Sequence, residues 1–111
     1  MLATIIYLEG GGESYECQLA IGSVILNRLQ DGYWGNTLEQ VLYAKNQFTP
    51  AYKINSTTPT DQQRKVVEQL LTEGLTLPSY VMYFRAWYYF SWATPYKYID
   101  DTYFSYLEKD K

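Results

Sequence analysis

The chain has no histidine and one cysteine, Cys17. A lone thiol cannot close an internal disulfide, and without imidazole there is no zinc-type ligand set, so Cys17 reads as a small buried side chain. A run of about 18 apolar residues, the length a membrane-spanning helix needs, is also missing. No charged segment followed by an apolar one occurs near the start, so neither a membrane span nor a signal peptide is expected. Basic residues are few and scattered: 9 Lys and Arg stand against 12 Asp and Glu, a net charge of −3. With no basic stripe to neutralise phosphates, nucleic acid is not an expected partner. Internal repeats, low-complexity tracts and linker-like composition are absent as well. The 111 residues suffice for one hydrophobic core and not for two, so a single domain over residues 1–111 is expected.

What the chain does have is helical periodicity in its first two thirds. Leu2, Ile5, Ile6 and Glu9 fall at i, i+3, i+4 and i+7, the spacing of one helical face, so Glu9 continues an apolar stripe. Gly10, Gly11 and Gly12 each favour coil over helix by roughly 1 kcal/mol relative to Ala, and together they predict the end of the first helix. Ser14 is placed to cap a second helix carrying Leu19, Ile21, Val24, Ile25 and Leu26, with Gly32 beyond its end. Thr37 with Gln40, and Thr60 with Gln63, have capping-box spacing. They predict a short helix through Val41 and Leu42 and a longer one through Val66, Val67, Leu70 and Leu71, with Gly74 at its C-terminal side. NSTTPT reads as a polar loop and EKDK as a charged tail.

Thirteen of the chain's twenty aromatic residues lie between Tyr80 and Tyr106. The runs YVMYFRAWYYF and DTYFSYL read as extended or hairpin segments, and SWATPY between them as a turn. In a strand, Tyr83, Phe84, Trp87, Tyr88, Tyr89, Phe90 and Trp92 would alternate faces, half toward the core and half free to meet a ligand.

The stretch YLEGGGESYE carries the chemistry. A carboxyl at the end of an apolar helical stripe is partly desolvated, which raises its pKa and lets it keep a proton near neutral pH, as a general acid must. Side-chain-free glycines beside it would let a substrate ring approach the backbone. The alternative is an exposed last-turn Glu followed by a flexible connection, and spacing alone does not separate the two.

The segment IIYLEGGGESYECQLAIGSVILNR resembles the opening signature of the SleB/CwlJ type of cell-wall hydrolases, the spore-cortex-lytic family, with its I-Y-x-E-x-x-G-E followed by G-Q-x-A-V-x-x-V-I-L-N-R. The matching residues are Ile6, Tyr7, Glu9, Gly12, Glu13, Gln18, Ala20, Ile21, Val24, Ile25, Leu26, Asn27 and Arg28. VLYAKNQFTP resembles a second block, V-I-x-x-x-x-Q-F-S/T, and the aromatic segment ending in TYF a third. The resemblance implies an α+β, lysozyme-like fold, mainly helical with a short antiparallel sheet or hairpin near the C-terminus. It implies peptidoglycan glycan strands as substrate, no cofactor and no metal. The place of action would be the cell wall, spore cortex or extracellular space, for a monomer whose targeting rests on a separate domain or partner.

Carried onto this chain, the catalytic acid is Glu9, protonating the oxygen between N-acetylmuramic acid and N-acetylglucosamine. A hydrolase pair needs a second carboxylate about 5 to 9.5 Å away. Glu13 is the one acidic candidate in the motif, and it serves equally as a charge at the positive end of the second helix. Without a nucleophile, the muramic acid's own C6 hydroxyl attacks, giving a 1,6-anhydro product. Gln47 is placed to bond a sugar N-acetyl group, and Phe48 to wall the cleft or plug the core. Tyr83, Tyr88, Tyr89 and Trp92 are candidate sugar contacts. Asn27 and Arg28, at the end of the second helix, are expected to brace structure. One departure stands out: relatives often carry a histidine in the aromatic segment, and this chain has none.

Overall fold

The computed structural model describes residues 1–45 and 47–111. Its elements are α1 (Leu2–Gly10), α2 (Tyr15–Asp31), α3 (Leu38–Leu42), a 3-10 segment (Thr49–Ser56), α4 (Asp61–Glu73), strands β1 (Val81–Ala86), β2 (Thr94–Ile99) and β3 (Thr102–Tyr106), and a last 3-10 turn over Glu108–Asp110. The helical part with a small antiparallel sheet at the C-terminal end is the α+β architecture the sequence implied.

The caps fall where the side chains dictate. Ser14 accepts from the Cys17 amide at 3.2 Å, and Gly32 closes α2 at φ 87°, in the left-handed region that suits glycine. Thr37 accepts from Gln40 N at 3.1 Å, and Thr60 with Gln63 forms the full reciprocal box that starts α4. Residues 49–56, by contrast, form a 3-10 helix that the sequence did not suggest, with Pro50 in its first turn, so the polar loop shrinks to the residues after Ser56.

The glycine triplet ends α1, as its composition predicts, with each glycine in a different role. Gly10 is still within α1, and Gly11 keeps a right-handed helical conformation. A Cβ at Gly10 would sit 2.5 Å from Ile21 Cδ1, whereas one at Gly12 would meet nothing within 4 Å. The first glycine therefore permits close approach of α1 and α2, and the third leaves open space. Gly22 makes the same allowance deeper down, where a Cβ would lie 2.4 Å from Leu70 Cδ1 and 3.1 Å from Ile6 Cδ1.

α2 is the central helix, packed against α1, α3, α4 and β1. Cys17, Ala20, Ile21, Val24 and Ile25 are fully buried, while Leu26, expected in the core, is only partly covered. Its buried polar residues are all used. Gln18 donates to the Glu13 carbonyl and to Gln62 Oε1 and accepts from Gln63, each at 3.0 Å, which ties α4 to the start of α2. Thr76 N donates to Ser23 Oγ at 2.9 Å. Asn27 donates to the carbonyls of Pro78 and Val81 at 2.8 and 3.1 Å, and Arg28 Nε to that of Met82 at 2.7 Å. Side chains one turn apart thus satisfy the backbone that leads into β1 and set the sheet beside the end of α1. The bracing role expected of Asn27 and Arg28 is present.

The sheet order is β1-β3-β2, antiparallel throughout. β1 pairs with β3 through Phe84↔Phe104 and Arg85↔Tyr103, and β2 with β3 through Tyr98↔Tyr103 and Ile99↔Thr102. Two expectations are corrected here. The long aromatic run leaves the strand after Ala86, because Trp87 has φ 78° and its amide turns to the Asp101 carbonyl at 2.8 Å. SWATPY is only half a turn, since Thr94, Pro95 and Tyr96 already belong to β2. Strand alternation consequently does not govern Trp87 to Trp92; these residues fold back over the sheet, with Trp92 edge-on to Tyr83 at 5.1 Å and Tyr89 edge-on to Tyr103 at 5.0 Å.

Candidate active site

The end of α1, the start of α2, the loop before the 3-10 segment and the tip of the β1–β3 ladder enclose a cavity of about 180 Å³. Glu9 and Glu13 line it from one side, Gln47 and Phe48 from another, and Phe84, Ala86 and Thr102 from the sheet. Arg28 lies at its base. A second cavity, about 360 Å³, shares Arg28, Gln47 and Phe84 with the first and continues along Trp34, Tyr83, Phe90 and Trp92. Together they form one cleft with an acidic end and an aromatic end.

Glu9 is half-buried. Burial pushes its carboxyl up to about 7, against the opposing pull of the Arg28 guanidinium. Among the described residues no side chain hydrogen-bonds this carboxyl, so its proton faces the cavity. Near neutral pH it can give a proton and take one back.

Glu13 sits in another setting. Desolvation and the neighbouring Asp100 and Asp101 raise its pKa. Asp100 is held low by the Ser14 amide, which donates to its Oδ2 at 2.9 Å. The two carboxyls face each other between the α1–α2 turn and the β2–β3 turn, within 4.8 Å. Cys17 Sγ lies within the same 4.8 Å group, and burial lifts its thiol to about 11, so it stays neutral.

Arg28 is the residue that sequence reading placed only as a brace. It is 5% exposed and lies over three rings, 4.3 Å from Trp34, 5.1 Å from Phe48 and 5.3 Å from Tyr83. Its Nη1 donates to Gln47 Oε1 at 2.8 Å. Burial pulls its pKa down to about 10, with Tyr83 and Glu9 acting the other way, so it remains a cation. A signal for it was present: Ile21, Val24, Ile25 and Arg28 repeat the spacing of Leu2, Ile5, Ile6 and Glu9. Both helices end a core stripe with a charge, and the two charges meet at one cavity.

Of the candidate contacts, Gln47, Phe48, Tyr83 and Trp92 line the cleft. Phe48 does both things expected of it, since it lines the cavity and is 6% exposed within the core. Tyr88 and Tyr89 are not among the lining residues of either cavity. Tyr88 lies exposed beneath the Arg85 guanidinium, 4.1 Å away, and Tyr89 packs on Tyr103. Trp34, Arg85 and Thr102 line the cleft without having been singled out; Trp34 is held between Gly32 and Gly35, a turn whose direction local sequence does not reveal.

The fold and the sequence both have relatives. Two solved structures match 94% of this chain at 25% identity: the catalytic domain of the germination-specific lytic transglycosylase SleB from Bacillus anthracis, with TM-score 0.80 over 89% of that chain, and that of the Bacillus cereus SleB protein, with TM-score 0.81 over 85%. Spore cortex-lytic enzymes of Oceanobacillus iheyensis and Bacillus subtilis are 39% and 43% identical over 49 residues, 44% of this chain. The aligned stretch is 18% and 16% of the length of those two proteins. The profile described as Cell Wall Hydrolase matches residues 12–105 and begins three positions after Glu9. Because that match spans the whole framework from α2 to β3 on which the cleft is built, the chain belongs to the cell wall hydrolase family.

Proposed function

We propose that this chain cleaves peptidoglycan at the β-1,4 bond from N-acetylmuramic acid to N-acetylglucosamine, as a lytic transglycosylase with Glu9 as its one catalytic carboxyl. The observation that carries the reading is the contrast between two acids in one cavity. Glu9 has its proton poised near 7 and facing open space, whereas Glu13 is engaged with Asp100. Glu9 donates its proton to the glycosidic oxygen as the bond to the muramic C1 breaks. The resulting carboxylate then accepts the proton of the C6 hydroxyl as that oxygen bonds C1, which closes the 1,6-anhydro ring and restores Glu9 without consuming water. The names of the relatives, spore cortex-lytic enzyme and germination-specific lytic transglycosylase, support both the polymer and the spore cortex or cell wall as the place of action. Gln47, Phe48, Tyr83 and Trp92 are the proposed sugar contacts.

Mass spectrometry of digested, borohydride-treated peptidoglycan tests the chemistry. New ends should lack one water and resist reduction. Reducible muramic acid ends would instead make Glu13, or a water it holds, the second catalytic group, and reducible glucosamine ends would show that the other glycosidic bond is cut. Glu9→Gln should abolish muropeptide release while the protein still sediments with insoluble wall; undiminished lysis would remove Glu9 from the mechanism.

A further inference from the structure

Gln47 stands at the junction of the two cavities, exposed on its loop, and its partner leaves it one orientation. An arginine has donors and no acceptor, so the Gln47 atom bonded to Arg28 Nη1 must be the carbonyl oxygen. Arg28 is itself immobilised, with Nε on the Met82 carbonyl at 2.7 Å and its plane over Trp34, Phe48 and Tyr83. The Gln47 Nε2 group meets no acceptor among the described residues, and it lies at the lining of both cavities. Free rotation of the amide would let either end serve a ligand; here the oxygen is turned to the guanidinium, its second lone pair beside that cation, and the NH2 is the end left without a partner.

We propose that Arg28 is a positioning residue that fixes the orientation of the Gln47 amide so that its NH2 is the donor offered to a ligand, and that this contact selects glycan units carrying an N-acetyl carbonyl over de-N-acetylated glucosamine units. An acetamido oxygen accepts from Nε2. A free amino group, protonated at neutral pH, offers Nε2 no acceptor and brings a cation toward the buried Arg28 charge, so at Gln47 the N-acetylated sugar is favoured against the opposing pull of Glu9 and Glu13 in the same cavity. The inference rests on the reading of the cleft as a glycan site and does not depend on which bond is cut.

Calorimetry with Glu9→Gln protein, which removes turnover, is the test. The probes are a peptide-free tetrasaccharide of alternating N-acetylglucosamine and N-acetylmuramic acid and its counterpart with de-N-acetylated glucosamine. The N-acetylated strand should bind about tenfold tighter, which corresponds to about 1.4 kcal/mol. Adding Gln47→Glu supplies a carboxylate that still accepts from Arg28 but has no proton to give, and the preference should vanish or invert. In the catalytically intact protein, Arg28→Lys, which keeps the charge and loses the fork, should raise KM for N-acetylated strands more than it lowers kcat. Combined with Gln47→Glu it should add little further loss. Gln47 is exposed, so its variant should fold even if Arg28→Lys does not. Equal affinity for the two strands, or a preference unchanged by Gln47→Glu, overturns the proposal alone. Failure of both strands to bind overturns the glycan reading beneath it.

Discussion

Glu9 places a proton-binding group where folding would rather have an apolar one. Its pKa rises from 4.5 unfolded to about 7 folded, so between those values the native state binds more protons than the unfolded chain. Its contribution to stability is therefore complete below about pH 4.5 and is lost as pH rises through 7, in total roughly 3 kcal/mol. Glu9→Gln, uncharged at every pH, should melt at a higher temperature than the parent at pH 8 and near the parent's at pH 4; equal melting curves at pH 8 would mean that the carboxyl is better solvated than its cavity suggests. The same variant should lose roughly 10²- to 10⁴-fold in rate. The rate itself should fall above about pH 7, as Glu9 loses the proton it donates. In the proposed mechanism, the residue that costs stability at working pH is the one that supplies activity.

At the scale of elements, α2 holds the fold together and the sheet sets the far wall of the cleft. Val24 is fully buried at the middle of α2. Val24→Asp would bury an unpaired carboxylate, and chemical denaturation should show several kcal/mol of destabilisation, on the order of 3 to 5; a midpoint within error of the parent's would place that face of α2 in solvent. The helices were readable because their signals are local: capping hydroxyls before α2, α3 and α4, stripes of apolar residues, and glycines at the ends of α1, α2 and α4. The aromatic segment was readable only in part. An unbroken run of β-formers suggests a long strand, and the backbone reversal at Trp87 depends on Asp101, fourteen residues further on, for its hydrogen bond. The glycine triplet stopped α1 as its propensity implies, but its packing role was hidden for a related reason: Gly10 makes room for Ile21 of the next helix, and local propensity cannot register a partner across the chain.

The whole molecule carries a net charge of −3, and among the described residues the one ion pair is the exposed Arg64–Asp61 contact at 3.0 Å. Arg64→Ala should change stability by less than about 0.5 kcal/mol in urea titrations. With the proposed substrate, an acidic domain approaching an acidic wall polymer meets repulsion rather than steering, and added salt screens it. Association with insoluble peptidoglycan should therefore hold steady or strengthen as ionic strength rises from about 10 mM to 150 mM. A steep loss over that range would reveal a basic docking face that the charge distribution does not suggest.

The residues alone determined where the helices start and stop, that the C-terminal third is extended and aromatic, and that Glu9 ends an apolar stripe, because these follow from capping chemistry, propensity and periodicity within a few residues. The tertiary structure decided which charges and rings share the cleft. Arg28 reaches Gln47 across 19 residues, and Glu13 finds Asp100 only because the β2–β3 turn comes to rest against the start of α2. The same packing puts Tyr83 and Trp92 on the cleft and leaves Tyr88 and Tyr89 off its lining. Desolvation and charge proximity act through space, so the pKa of Glu9 and the polarity of Gln47 exist only once the distant segments have packed.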